Sequence, residues 1–311
     1  MRTICLNQEV FQLPKSVATI GVFDGVHRGH QRLIRMVVEQ ARVSGLSSMV
    51  ITFDRQPRQL LDASFHPQVL TTLEEKEAAI SQMGIDYLVV LPFTKSIAGL
   101  TAFDFMQQIL CEKLHAGILI TGYDNRFGHN RAEGFDDYVR YGEQMGMQVM
   151  RGDAEMMDDG SQAVSSSVIR QLLEEGKVEL MPQYLTRPYE LTGKVMHGEH
   201  IGHQLGFPTA NLEPLCADKL IPAPGVYAVW ATVDKNSEKK AAMMNIGTRP
   251  TFEGRHQTLE VNILDFYGDL YGETVSISFI RRLREERRFD TPEALIAQLQ
   301  KDKKQVIDIL K

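Results

Sequence analysis

The sequence predicts two regions of different class: an α/β region built on a parallel sheet, then a small β-barrel or sandwich closed by one terminal helix. Three observations carry this expectation. The chain has 311 residues, more than one hydrophobic core usually spans. Up to about Val149, short apolar and β-branched runs alternate with helical patterns. After about Leu180 that rhythm gives way to strands punctuated by Gly and Pro.

The first region opens with a strand in SVATIGVF (16–23), followed by a helix in RLIRMVVEQA (32–41) that starts near Gln31. Strands SSMVITF (47–53) and YLVVLPF (87–93), a helix AFDFMQQILCEKL (102–114) and a strand GILITGY (117–123) follow. Continuously apolar strands separated by helices are the pattern of a parallel sheet covered on both faces. In the 102–114 helix, Phe103, Met106, Ile109, Leu110 and Leu114 recur at three- and four-residue steps and form one buried stripe. The prolines and glycine of MPQYLTRPYELTG (181–193) place a boundary near Thr186, giving domains 1–185 and 186–311. The second region reads as strands LTGKVMH (191–197), GVYAVWATV (225–233), AAMMNIG (241–247), TLEVNILDF (258–266) and TVSISFI (274–280). Asp290-Thr291-Pro292-Glu293 caps a last helix whose Leu295, Ile296 and Leu299 face the barrel.

Composition narrows the class of function. With 43% hydrophobic and 24% charged residues the chain has the balance of a soluble globular protein. Its net charge of −6 argues against a broad nucleic-acid or anionic-membrane surface, which needs basic excess. Cys5, Cys111 and Cys216 are far apart and form no CxxC pair, so neither a disulfide framework nor a zinc site is expected. Met1–Val10 lacks the basic start and apolar run of a signal peptide, and no stretch nears the roughly 20 apolar residues of a membrane span. A cytoplasmic protein is expected.

The first chemical site lies in TIGVFDGVHRGH (19–30), where an apolar strand runs into three glycines and two histidines and then into a helix. Free backbone N–H groups and the helix dipole favour an anion there. Gly21, Gly25 and Gly29 let the backbone turn close to a ligand, and His27 and His30, three apart, lie on one face of the first helical turn. A histidine pair at this spacing is otherwise structural; beside a glycine-rich turn it suits nucleotidyl transfer, which consists of positioning and charge stabilisation on phosphoryl oxygens. GVFDGVHRGH (21–30) resembles the FAD-synthetase branch of the HxGH nucleotidyltransferases. GYDNRFGHNRAEG (122–134) resembles that family's second signature, and VSSSVIR (164–170) its ISSTxIR segment. The resemblance implies a Rossmann-like domain whose ATP-binding set is Gly21, Phe23, Asp24, Gly25, His27, His30, Ser165, Ser166 and Arg170, with the two histidines catalytic. The serines read equally as caps of the helix that follows. Two departures stand out: Arg55-Gln56 replaces the Pro-His of the family's FDPHP, and Ser167 stands where Thr is usual.

The second site lies in GKVMHGEHIGHQLGFPTANL (193–212), which resembles the riboflavin-kinase signature and is followed by PAPGVYA (222–228), NIGTRPTF (245–252) and LEVNILDF (259–266). Within PTAN, the Thr209 hydroxyl and the Asn211 amide oxygen, two residues apart, face one side of an extended segment and offer hard oxygen ligands. By resemblance they hold Mg²⁺ on the ATP phosphates. Leu259, Val261 and Ile263 alternate with Glu260, which is therefore either solvated or aimed into a site; the resemblance makes it the general base. Gly198 and Gly202 are expected in a loop over the ATP phosphates, with His203 where the family has arginine or lysine. LREERRF (283–289) resembles the family's LRxExxF flap, implying flavin contacts from Arg284, Glu286 and Phe289. Glu285 and Glu286 interrupt the five arginines of 281–288, and no interleaved aromatics mark a nucleic-acid platform.

Taken together, the resemblances imply a bifunctional chain with a flavokinase-type barrel: riboflavin and ATP give FMN, and FMN and a second ATP give FAD and pyrophosphate. The implied partners are riboflavin, FMN and ATP, with no nucleic acid or membrane, in a monomer or weak homo-oligomer. Two alternatives remain at this point. The first domain alone could read as a cytidylyl- or pantetheine-phosphate adenylyltransferase, and the whole as a flavin or nucleotide sensor with one inactive domain.

Overall fold

The computed structural model describes residues 1–6, 12–62, 64–65, 67–157, 160, 163–197, 206–233, 238–251 and 254–311. It divides into two compact units, Met1–Ser166 and Ser167–Lys311.

The first unit carries six parallel strands: β1 (Arg2–Cys5), β2 (Ser16–Ile20), β3 (Ser47–Phe53), β4 (Tyr87–Leu91), β5 (Ala116–Thr121) and β6 (Gln148–Arg151). Their order is β1-β4-β3-β2-β5-β6. Every residue of β2 and β5 is buried, and alternate side chains enter two cores, Ala18, Ile20, Met49 and Ile51 on one face and Val17, Val50, Ile118 and Ile120 on the other. From β2 the chain moves outward through β3 and β4, then crosses to the opposite flank for β5 and β6. That reversal opens a crevice at the carboxyl end of β2, where open α/β sheets take their ligands.

The helices of this unit are α1 (Arg28–Ser44), α2 (Pro57–Leu61), α3 (Leu73–Ser81), α4 (Lys95–Ala98), α5 (Ala102–Asp104, continued by a π-helix Phe105–Lys113) and α6 (Phe135–Met145). Two expectations change. Helix α1 starts three residues before Gln31, at Arg28, because the His27 side chain caps it by accepting from the His30 N–H. The π-helix bonds residue i to i+5 and so widens the turn, and Phe105 joins Met106, Ile109, Leu110 and Leu114 in the core, whereas Phe103 is half-buried, edge-on to Tyr141. The edge strands β1 and β6 carry too little apolar patterning to stand out in sequence.

The boundary falls at the first residue of α7 (Ser166–Glu174); the second unit continues through α8 (Met181–Leu185), and its core is a closed barrel in the order β10-β11-β8-β7-β12-β9. The strands are β7 (Tyr189–Met196), β8 (Ala210–Pro214), β9 (Gly225–Val233), β10 (Lys240–Thr251), β11 (Gly254–Ile263) and β12 (Thr274–Arg284). Alternate residues, among them Leu191, Tyr227, Val229, Met244, Ile246, Leu259, Val261 and Ile277, are buried as the barrel filling. The opposite parity of β9 and β10 supplies Val226, Ala228 and Met243 to a second apolar layer, completed by Leu299 and Val306 of α9 (Pro292–Leu310). Thr291 caps α9 by accepting from the Ala294 N–H at 3.2 Å.

Candidate active sites

The loop between β2 and α1 turns through three left-handed residues, Phe23 (φ 50°), Gly25 (φ 86°) and Val26 (φ 43°). Two of these are strained for L-residues, and the strain is held by burial, since Phe23 and Val26 are each 1% exposed in the core. Asp24 is buried and turned into the protein: its Oδ1 accepts from the backbone N–H groups of Leu70 (2.9 Å) and Thr71 (3.1 Å). The Gly25 N–H donates to Thr71 Oγ1 at 2.9 Å. Asp24 thus anchors the loop to the segment that leads into α3.

His27 and His30 stack at 3.6 Å between ring centroids, with Phe23 edge-on to His30. Gly29 permits this packing, because a Cβ there would lie 3.2 Å from the His27 ring and 3.3 Å from the Val164 carbonyl. Burial, with smaller contributions from His27 and Lys76, holds His30 well below the ordinary imidazole pKa. Among the described residues its Nδ1 is buried without a hydrogen-bond partner. Such a group costs about 1–3 kcal/mol unless a ligand satisfies it. Behind it lies Lys76, buried and brought from 10.5 to about 8 by desolvation, against the opposing pull of Asp24. Its Nζ donates to Thr52 Oγ1 at 3.2 Å, and Thr52 donates to the Val22 carbonyl at 3.1 Å.

The other signature segments reach the same loop. Ser166 Oγ donates to the Asp24 carbonyl at 2.9 Å, and Asn125 Nδ2 donates to the carbonyl of Ile20, the last residue of β2. Arg170 lies one turn along α7, in the second unit. The departing pair has local partners: Arg55 bonds to Asp54 Oδ2 at 3.3 Å, and the Gln56 N–H donates to Gln59 Oε1 at the start of α2. Sequence reading missed Lys76, Thr52, Thr71 and Asn125 as site residues. Lys76 left a signal, a cation four residues before Ile80 on the buried side of α3, and Asn125 lies inside the 122–134 signature.

In the barrel, strand register aligns three polar side chains across neighbouring strands: Asn245 on β10 faces Glu260 on β11, and Glu260 faces Asn211 on β8. Glu260 lies on the outer parity of β11 and is half-buried at the edge of a cavity. With Asn245 and Asn262 it borders a cavity of about 300 Å³ walled by the flap (Arg284, Glu286, Arg287, Phe289) and by Leu295 and Leu299 of α9. A second cavity of about 380 Å³ is bordered by His197, Asn211, Phe266, Asp269 and Tyr271, with the His197 and Tyr271 rings stacked at 3.5 Å. Thr209 borders both cavities. Its approach is set by Asn262, 5% exposed, whose Nδ2 donates to the Pro208 carbonyl at 2.7 Å.

On the flap, Glu286 accepts from the Thr248 N–H at 3.3 Å, and the guanidinium groups of Arg284 and Arg287 lie 5.8 and 4.8 Å from the Phe289 ring centroid. Gly198, Gly202 and His203 fall outside the described residues. Thr209 and Asn211 offer oxygen donors to one cavity, as a hard cation requires. Among the described residues no group of three or more His, Cys, Asp or Glu could hold a metal by itself. A divalent ion here fits as one completed by phosphate oxygens and water.

Comparison with known proteins matches both halves. A family model described as FAD synthetase matches residues 11–168, and one described as riboflavin kinase matches residues 185–310. The chain is 36% identical over 286 residues to a bifunctional riboflavin kinase/FMN adenylyltransferase of Escherichia coli strain K12, covering 92% of this chain and 90% of that protein. It is 35% identical over 306 residues to the protein of that name from Bacillus subtilis strain 168, covering 94% and 92%. Among solved structures, one titled a macrolide-efflux protein from Streptococcus pneumoniae superposes with a TM-score of 0.88 at 32% identity, covering 97% of both chains. Among the described residues of the present chain, no helix is long and apolar enough to cross a membrane.

Proposed function

The chain belongs to the bifunctional riboflavin kinase/FMN adenylyltransferase family, and we propose that its two sites divide the work as follows. Riboflavin is phosphorylated by ATP to FMN in the barrel, and FMN is adenylylated by a second ATP to FAD in the parallel-sheet domain. We assign these activities to residues 186–311 and 1–185 respectively.

The observation that carries the kinase assignment is the position of Thr209 and Glu260. Thr209 borders two cavities, one walled by the flap and α9, the other by a polar and aromatic rim. The first suits the flavin, with Glu286 and Phe289 beside it, and the second suits ATP. Glu260, at the flavin side, takes the proton from the terminal ribityl hydroxyl. The oxygen then bonds to the γ-phosphorus as the bond to the β–γ bridging oxygen breaks, and ADP leaves. Thr209 and Asn211 hold Mg²⁺, which supplies charge neutralisation on the phosphates when bound.

In the first domain the loop N–H groups, the N-terminus of α1 and the stacked imidazoles receive the ATP phosphates, with Ser165 and Ser166 alongside. A neutral His30 donates a hydrogen bond without costing a buried charge. An FMN phosphate oxygen attacks the α-phosphorus, the α–β bridging bond breaks, and pyrophosphate departs. The enzyme works on small molecules in the cytoplasm, as a monomer or weak homo-oligomer. The cytidylyl and pantetheine-phosphate alternatives fail on the attached kinase domain.

The test is incubation with riboflavin, ATP and Mg²⁺ and chromatographic separation of riboflavin, FMN and FAD over time. FMN followed by FAD is expected, with Glu260→Gln blocking FMN formation and His30→Ala stopping the reaction at FMN. Flavin binding without FMN formation in the wild type would support the sensor reading instead.

A further inference from the structure

Asp302 lies on α9, outside every motif the sequence analysis singled out, and is 0% exposed. Its Oδ2 accepts from Arg284 Nε at 3.0 Å and from Arg284 Nη2 at 2.8 Å. Its Oδ1 accepts from Gln298 Nε2 at 2.6 Å. Gln298, one turn earlier on the helix, accepts from Arg287 Nη2 through its Oε1. Arg284 Nη1 donates to the Glu285 carbonyl at 3.0 Å. Two flap arginines are therefore tied to two helix residues, and the Phe289 ring lies under both guanidinium groups.

A carboxylate this buried is costly unless fully partnered, and breaking such a pair from one side leaves an uncompensated charge. Arg284 spends three of its five N–H donors on the protein while it lines the flavin-side cavity. We propose that Asp302 is a positioning residue for flavin binding, acting through Arg284 and Gln298 to lock the 284–289 flap against α9 and close the flavin-side cavity. This rests on the kinase reading given above.

The experiment measures riboflavin and ATP KM for FMN formation, the riboflavin dissociation constant by quenching of flavin fluorescence, and the rate of FAD formation from added FMN. The full chain is used as wild type, Asp302→Asn and Gln298→Ala. Asp302→Asn keeps the shape and removes the charge; it is expected to raise riboflavin KM and dissociation constant on the order of tenfold, leaving ATP KM and FAD formation from FMN unchanged. Gln298→Ala, on a half-buried site, keeps the ion pair and is expected to raise riboflavin KM by roughly threefold. Should Asp302→Asn fail to fold, the Gln298→Ala value decides. A merely structural role would lower the active fraction, and hence kcat, with riboflavin KM untouched; that outcome overturns the inference. A wild type that makes no FMN overturns the kinase reading and this inference with it, whereas FMN formation with unchanged riboflavin KM in both variants overturns this inference alone.

Discussion

Replacing Lys76 with methionine isolates the electrostatic cost built into the adenylyltransferase site. The side chain is 6% exposed, and burial lowers its pKa from 10.5 to about 8. That difference, about 2.5, corresponds to roughly 3 kcal/mol by which the folded state disfavours the ammonium. Loss of the hydrogen bond to Thr52 returns about 1 kcal/mol. Lys76→Met is therefore expected to stabilise the first unit by about 2 kcal/mol at pH 7. The sign follows from proton uptake: between pH 8 and 10.5 the unfolded chain holds a proton that the folded chain lacks, so wild-type stability rises across that window. The advantage of the variant is full below pH 8 and gives way above 10.5 to a deficit of about 1 kcal/mol, where only the lost Thr52 bond counts. Urea unfolding followed by far-ultraviolet circular dichroism at pH 7 and 10.5 reads this directly. The single tryptophan, Trp230 on β9, reports the barrel separately and is expected to show an unchanged midpoint. Lys76 also helps depress the His30 pKa, so the acid limb of FAD formation from FMN is expected to move to higher pH in the variant. A variant less stable than wild type at pH 7, or a stability difference that does not change with pH, would refute the reasoning.

Gly29→Ala improves local helix propensity but sets a methyl 3.2 Å from the His27 ring, so the fold is expected to persist while FAD formation from FMN falls on the order of tenfold or more, with FMN formation from riboflavin unchanged. Asn262→Ala releases the Pro208 carbonyl beside Thr209; a loss of about 1 kcal/mol from the barrel transition and a raised ATP KM in the kinase assay are the expected results. Glu260→Gln is expected to slow FMN formation by about 10²–10⁴-fold, the range for a lost general base, with adenylylation of added FMN intact.

The fold class was legible because both regions write their period into the chain. Apolar runs such as VATI and ILIT mark strands buried on two faces, and the Leu259, Val261, Ile263 alternation marks a barrel wall. The first glycine-bearing motif was legible as a turn for a related reason, since a tight strand-to-helix loop gathers several special residues in one short stretch. β8 escaped as a strand because ANLEP is five residues with one buried apolar side chain. The shift of the core from Phe103 to Phe105 escaped because a π-helix changes the spacing on which the stripe was read.

By itself the sequence determined the two-region architecture and the family resemblance of its motifs, both of which depend on neighbours within a few positions. Only the tertiary structure decided what those motifs lean on. Asp24 meets Leu70 and Thr71 across 46 and 47 residues, Lys76 meets Thr52 across 24, and Arg284 meets Asp302 across 18. For Glu260, which the alternation left either solvated or aimed into a site, the structure supplies a bordering cavity, with the flap and α9 as its other walls. Contacts of this kind leave no period in the chain, because each joins one residue to a distant one through packing that exists only once the sheet and the barrel have closed.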